Sequence, residues 1–222
     1  MVKTPVKLKL RVLFSPNASK ELISLRPVFK QLSKVHEGYI NAEPSTETSF
    51  WHPERSQTGL LASAVWRIRG KTALEECGCD RRKRSDRPKH RGRRDLYIGI
   101  SETAAFECEA KRLSVNLAKN VETSAKRIYE ALHTAAKEAK SKGDTKDRLG
   151  LCFVAPRISK SRHDGIELDR QLFKRLEPTK SHFQCDALVW IHRSGPLPEN
   201  KTSWLYPSLL LAVKQEKGNL AR

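Results

Sequence analysis

No long apolar run occurs anywhere in the chain. The longest, residues 209–213 (LLLAV), falls far short of the roughly 20 residues that a membrane-spanning helix needs. The N-terminal MVKTPVKLKLRVLF has neither the apolar core nor the small-residue cleavage site of a secretory signal, so an intracellular, cytoplasmic location is expected. Five cysteines are an odd number, and without an export signal they read as reduced thiols and not as a disulfide framework. Cys77 and Cys79 with His90 fall short of the four regularly spaced ligands of a structural zinc site. No Gly-rich phosphate loop is present, which disfavours a nucleotide-binding enzyme, and no internal repeat appears. Acids are scarce: 25 Asp and Glu stand against 43 Lys and Arg, a formal charge of +18. Such an excess implies an anionic polymer as partner more readily than a small neutral substrate. At 222 residues the chain suffices for one good-sized domain.

Residues 94–113, RDLYIGISETAAFECEAKRL, organise what is there. They read as two short strands joined by a turn. Leu96, Ile98 and Ile100 alternate with Asp95, Tyr97 and Gly99; Phe106, Cys108 and Ala110 alternate with Glu107, Glu109 and Lys111. Strand side chains point to opposite faces with period two, so one face is apolar and the other gathers Asp95, Glu107, Glu109 and Lys111. Three acids beside apolar strand residues are costly unless a cation lies among them. Mg²⁺ or Mn²⁺ would meet that cost, since both prefer carboxylate oxygens.

This arrangement resembles the PD-(D/E)XK nuclease superfamily, with its restriction-endonuclease-like fold. Asp95 matches the family's first acid and Glu109-Ala110-Lys111 its acid-x-Lys triplet, with thirteen residues between Asp95 and Glu109. Arg94 stands where the family's name has Pro. Two further acid-x-Lys triplets, at Glu138-Ala139-Lys140 and Asp144-Thr145-Lys146, lie in a helical run and a polar loop and lack strand context.

The rest of the chain fits an α/β fold, a central mixed β-sheet flanked by helices. A strand over residues 6–12 and a helix over 20–36, capped by Ser19, form an N-terminal extension (residues 1–53) packed on the core. Residues 54–222 form the restriction-endonuclease-like core. Its predicted order is a helix over 54–68 ended by Gly70, strands over 71–79 and in the hairpin, and a helix over 119–142. A buried strand over 148–155 stopped by Pro156, a helix over 166–176 and a strand over 186–192 follow. A closing helix holds Trp204, Tyr206 and residues 209–213. A crossover helix between two strands is what a mixed sheet requires.

Residues 81–94 carry nine Lys or Arg and one acid. So dense a charge run cannot pack in a core and reads as a mobile loop. Its place just before Asp95 makes Arg81, Arg82, Lys83, Arg84, Arg87, Lys89, Arg91, Arg93 and Arg94 a candidate clamp on phosphates. The alternative is a solvated loop. Arg162-His163-Asp164 in a second basic loop reads as a turn.

The resemblance implies a metal-dependent endonuclease that hydrolyses DNA phosphodiesters, in restriction or phage defence, with Mg²⁺ (or Mn²⁺) as cofactor. It implies that Asp95 and Glu109 hold the metal with the backbone carbonyl of Cys108, and that Lys111 positions or activates the attacking water. Glu107 is a further acid on the same face. A helix before the sheet often adds another acid in that family; Glu54 is the candidate, with Glu43, Glu47, Glu75 and Glu76 as alternatives. Glu54 equally suits a helix N-terminus for its dipole alone. A nucleic-acid-binding protein without catalysis, for DNA or RNA, is the second reading. A homodimer or a recruiting protein is the protein partner that either leaves open.

Overall fold

Leu8, Leu10 and Val12 alternate with charged neighbours to give β1 (Leu8–Phe14) in a computed structural model that describes residues 5–42, 49–80, 91–141, 147–159, 165–178, 184–194 and 204–217. Ser19 caps the next segment, its Oγ accepting the Leu22 amide at 3.0 Å. The single helix expected there is split into α1 (Lys20–Ile23) and α2 (Arg26–Ala42). Pro27 explains the break, because it has no N–H to reach back to the Ile23 carbonyl and its ring crowds that carbonyl. α2 then runs six residues beyond the expected end at His36. A 3-10 turn (Ser49–Trp51) leads to α3 (Glu54–Trp66), and Gly70, at φ 77°, turns the chain into the sheet.

There follow β2 (Thr72–Asp80), β3 (Arg91–Gly99), β4 (Ala105–Asn116), α4 (Val121–Ser141), β5 (Asp147–Ser159), α5 (Gly165–Arg175), β6 (Ala187–Arg193), β7 (Trp204–Leu205) and β8 (Ser208–Lys217). The strands lie in the order β1-β6-β8-β5-β4-β3-β2, and β7 pairs with the end of β5. β4 and β5 are parallel and are joined through α4; the other pairs are antiparallel. The fold is thus α/β, a mixed sheet with helices on both faces.

The central strands are apolar on both sides, and the pleat deals them to two cores. Leu149, Leu151, Phe153, Leu209, Leu211 and Val213 pack with α2 and α3. Cys152, Val154, Leu210 and Ala212 face the other way, against α4 and α5. The N-terminal segment packs on this body, with β1 paired to β6 along its length and α2 sharing the first core with α3.

Three expectations need correction here. Residues 209–213 are not a closing helix but the middle of β8, between β5 and β6. A short apolar run buried on both faces has no polar side to show its period. Pro156 does not end β5. It falls between the last β8 pair, Val154–Leu210, and the β7 pairs at Ile158 and Ser159, where an absent N–H is tolerated. The basic run does not stay a loop throughout: residues 91–94 pair with 77–80 as the start of β3. Arg81, Arg82, Lys83, Arg84, Arg87 and Lys89 lie outside the described residues, as do Glu43, Glu47, His90, residues 144–146 and Arg162-His163-Asp164.

Candidate active site

β3 and β4 pair from Gly99–Ala105 to Leu96–Cys108. The next step would set Asp95 against Glu109, but the pairing stops there. β4 continues beside β5, while β3 continues beside β2. At this fork Asp95 Oδ2 accepts the Ala110 amide at 2.7 Å, taking the place of the lost ladder bond. On the β2 side the residue opposite Asp95 is Glu76, between the pairs Glu75–Leu96 and Cys77–Arg94. Glu76 has φ 48°, a left-handed conformation that costs a non-glycine residue about 1–3 kcal/mol unless its surroundings enforce it. Arg55 and Arg93 hold its carboxylate, each at 3.2 Å.

α3 begins beside this fork. Glu54, Arg55 and Thr58 from its first turns, with Glu75, Glu76 and Asp95, line an open pocket of about 110 Å³. Burial raises the Glu54 pKa, the Asp95 charge raises it further, and Glu138 adds to this; Lys111 and a hydrogen bond from the Arg112 amide oppose. Glu54 therefore shares one electrostatic site with Asp95 and Lys111. Glu75 rests on Gly59 of α3, where an added Cβ would stand 3.2 Å from its Oε2.

The acid-x-Lys strand is not a surface ladder. Glu107 and Glu109 are 2% and 5% exposed, because α4 lies on that side of the sheet. Gly150, paired with Glu109, allows the approach: a Cβ there would come within 2.7 Å of Ala136 Cα and 2.8 Å of its Cβ. Arg94 turns inward to pair with Glu107 at 2.7 Å, so it neutralises a buried acid instead of reaching out as a clamp. Lys111 Nζ meets Glu138 of α4 at 2.7 Å. Burial works to lower the Lys111 pKa, but the hydrogen bond and charge of Glu138, with Glu109 and Glu54, outweigh it and raise the value. Sequence reading missed Glu138, whose own acid-x-Lys triplet looked accidental; only the packing of α4 on β4 reveals it. Arg55 and Arg112 were missed likewise.

The assignment of the Cys108 carbonyl as a ligand does not hold. Strand carbonyls lie along the sheet and not toward either face. The Ala110 amide points to the β3 side, and so does that of Cys108, two residues back. Leu96–Cys108 is therefore a hydrogen-bonded pair that engages the Cys108 carbonyl. The Ala110 carbonyl points the same way just past the end of pairing, into the fork. The Cys108 thiol is itself buried, and burial, then Glu107 and Asp95, raise its pKa well above the usual thiol range.

Glu54, Asp95 and Glu109 are oxygen donors of the type that Mg²⁺ and Mn²⁺ take. In kind they fit such an ion. Among the described residues, though, no three His, Cys, Asp or Glu side chains are grouped so as to hold a metal, and Asp95 and Glu54 each accept a backbone amide. No helix among them is long and apolar enough to cross a membrane. No protein-family model matches the chain, and neither a curated protein nor a solved structure matches it.

Proposed function

We propose that the protein is a metal-dependent nuclease acting on DNA phosphodiesters, of the PD-(D/E)XK type that its hairpin resembles. One observation carries the reading: Asp95 and Glu54 line one pocket where β3 leaves β4, with Lys111 in the field of Glu54 and Glu109 in that of Lys111. Asp95 and Glu54, which line one pocket, would hold the cation, with Glu109 as the further acid that the resemblance implies. A bound Mg²⁺ supplies polarisation of a phosphoryl oxygen and a more acidic water. Lys111, held by Glu138 and with its pKa raised, acts as a cation and donor that offsets phosphate charge and orients the water, not as a base. The net charge of +18 favours a polyanionic substrate. Restriction or phage defence is the setting that the resemblance suggests.

A second reading is a nucleic-acid-binding protein without catalysis. It is favoured by the absence, among the described residues, of a ready metal cluster. Supercoiled plasmid incubated with Mg²⁺, Mn²⁺ or EDTA separates the two. Metal-dependent nicking that Lys111→Ala abolishes, while a gel shift persists, is the expected result. Binding with no cutting under any metal supports the second reading, and cutting that survives Lys111→Ala overturns the assigned site.

A further inference from the structure

Beyond Lys111 the strands β4 and β5 carry a second polar cluster, on the sheet face that bears α2 and α3. Arg112 is registered with Phe153, Ser114 with Ala155 and Asn116 with Arg157. Phe153 belongs to the core under α2 and α3, and the period of two puts Arg112, Ser114 and Arg157 on that same face. Arg112 donates to the Trp51 carbonyl at 2.7 Å. The Arg157 guanidinium lies 4.5 Å from the Trp204 ring centroid.

What these residues leave unmade is the telling part. Arg112 Nε, Ser114 Oγ and Arg157 Nε are buried and have no hydrogen-bond partner among the described residues. Neither arginine has a carboxylate partner among those residues either. The Arg112 pKa is lowered by burial, against an opposing effect of Tyr206, and Arg157 lowers it further, so the two cations sense each other. Two half-buried guanidinium groups of like charge with unmet donors are costly unless an anion joins them. A phosphate oxygen array is the partner that Arg forks match best.

We infer that Arg112, Ser114 and Arg157 form a subsite for a backbone phosphate of a nucleic-acid strand, flanking the phosphodiester at Lys111. The link to the pocket is direct, since Arg112 follows Lys111 in β4 and gives its amide to Glu54. Only the position beside the reacting bond rests on the nuclease reading; occupancy of the subsite does not.

The test is binding of a short labelled DNA strand to the full chain in EDTA, across a salt series. Arg112→Gln and Arg157→Gln are each expected to weaken binding and to reduce the log–log salt slope by about 1, the signature of one lost phosphate contact. Arg157→Lys, which keeps the charge, restores the slope. Variants as stable as wild type with an unchanged slope overturn the subsite, as does a loss in Arg157→Lys equal to that in Arg157→Gln. A second arm uses inorganic phosphate. If it raises the wild-type melting temperature and not that of Arg112→Gln, while strand affinity is the same in both, the site takes free phosphate and its assignment to nucleic acid fails. Cleavage is scored separately in Mg²⁺: intact slope effects without cutting reject the nuclease and keep the subsite.

Discussion

Glu138 holds the Lys111 ammonium at 2.7 Å, and this makes Glu138 a positioning residue with a measurable signature. Lys111 has a raised pKa in the folded chain. The stability it contributes is therefore complete below the ordinary lysine value and is lost only as pH climbs through the raised one. At neutral pH Glu138→Gln should cost about 0.5 kcal/mol, as expected of a partly exposed pair. That corresponds to a melting-temperature drop of about 1–2 °C. Cleavage should fall further, on the order of tenfold, because the ammonium is no longer held in place, and the alkaline limb of the pH–rate profile should move to lower pH. An unchanged profile would assign Glu138 a structural role alone. Glu54 is shifted in the same direction, but as an acid it is charged at neutral pH, where burial and Asp95 count against it. Its raised carboxyl pKa means that the folded state holds the proton more tightly than the unfolded chain, so stability declines as pH rises through that value. Glu54→Gln should thus melt at or above the wild type at pH 7, and the gap should close near pH 4, while cleavage is lost. Such a trade between stability and activity is typical of functional acids.

Between the strands and helices, the sequence revealed what periodicity can reveal. Alternation located the strands of the hairpin and put Glu107, Glu109 and Lys111 on one face of β4, and the helix expected over 54–68 runs as Glu54–Trp66. Residues 209–213 were misread because a strand buried on both faces has no alternation. The cover over Glu107 and Glu109 was also illegible, since it depends on a close approach of α4 that only Gly150 permits. Gly150→Ala should accordingly cost about 1–3 kcal/mol by overpacking, read as a lower melting temperature by differential scanning fluorimetry. An unchanged value would mean that α4 can lift away freely. A second seam joins α5 to the sheet: Asp169 accepts Ser208 Oγ at 2.7 Å and Trp190 Nε1 at 3.0 Å. Burial lifts its pKa to about 7 against the lowering effect of those two bonds. Stability from this group is therefore lost as pH rises through about 7. Asp169→Asn, which can still satisfy both partners, should flatten the fall in melting temperature between the ordinary Asp value of about 4 and about 7. A profile as steep as the wild type's would place the titration elsewhere.

Over the whole molecule the charges are divided. The chain is strongly basic, yet Glu54, Glu75, Glu76 and Asp95 share one small pocket. A polyanion drawn to the basic surface meets repulsion at that pocket unless a cation is held there. The two functional readings consequently predict opposite signs for the effect of Mg²⁺ on binding. For a protein that binds by surface charge alone, Mg²⁺ competes for phosphates and weakens the complex, as added salt does. For a nuclease with its metal at the fork, Mg²⁺ converts a repulsive pocket into an attractive one and strengthens the complex. Lys111→Ala allows this comparison without cutting. At matched ionic strength its affinity for a DNA duplex should rise on replacing EDTA with Mg²⁺, and the rise should vanish when Asp95→Asn is added. A fall in affinity with Mg²⁺ in both proteins would show that the pocket does not recruit the ion, and the molecule would then act through its basic surface alone.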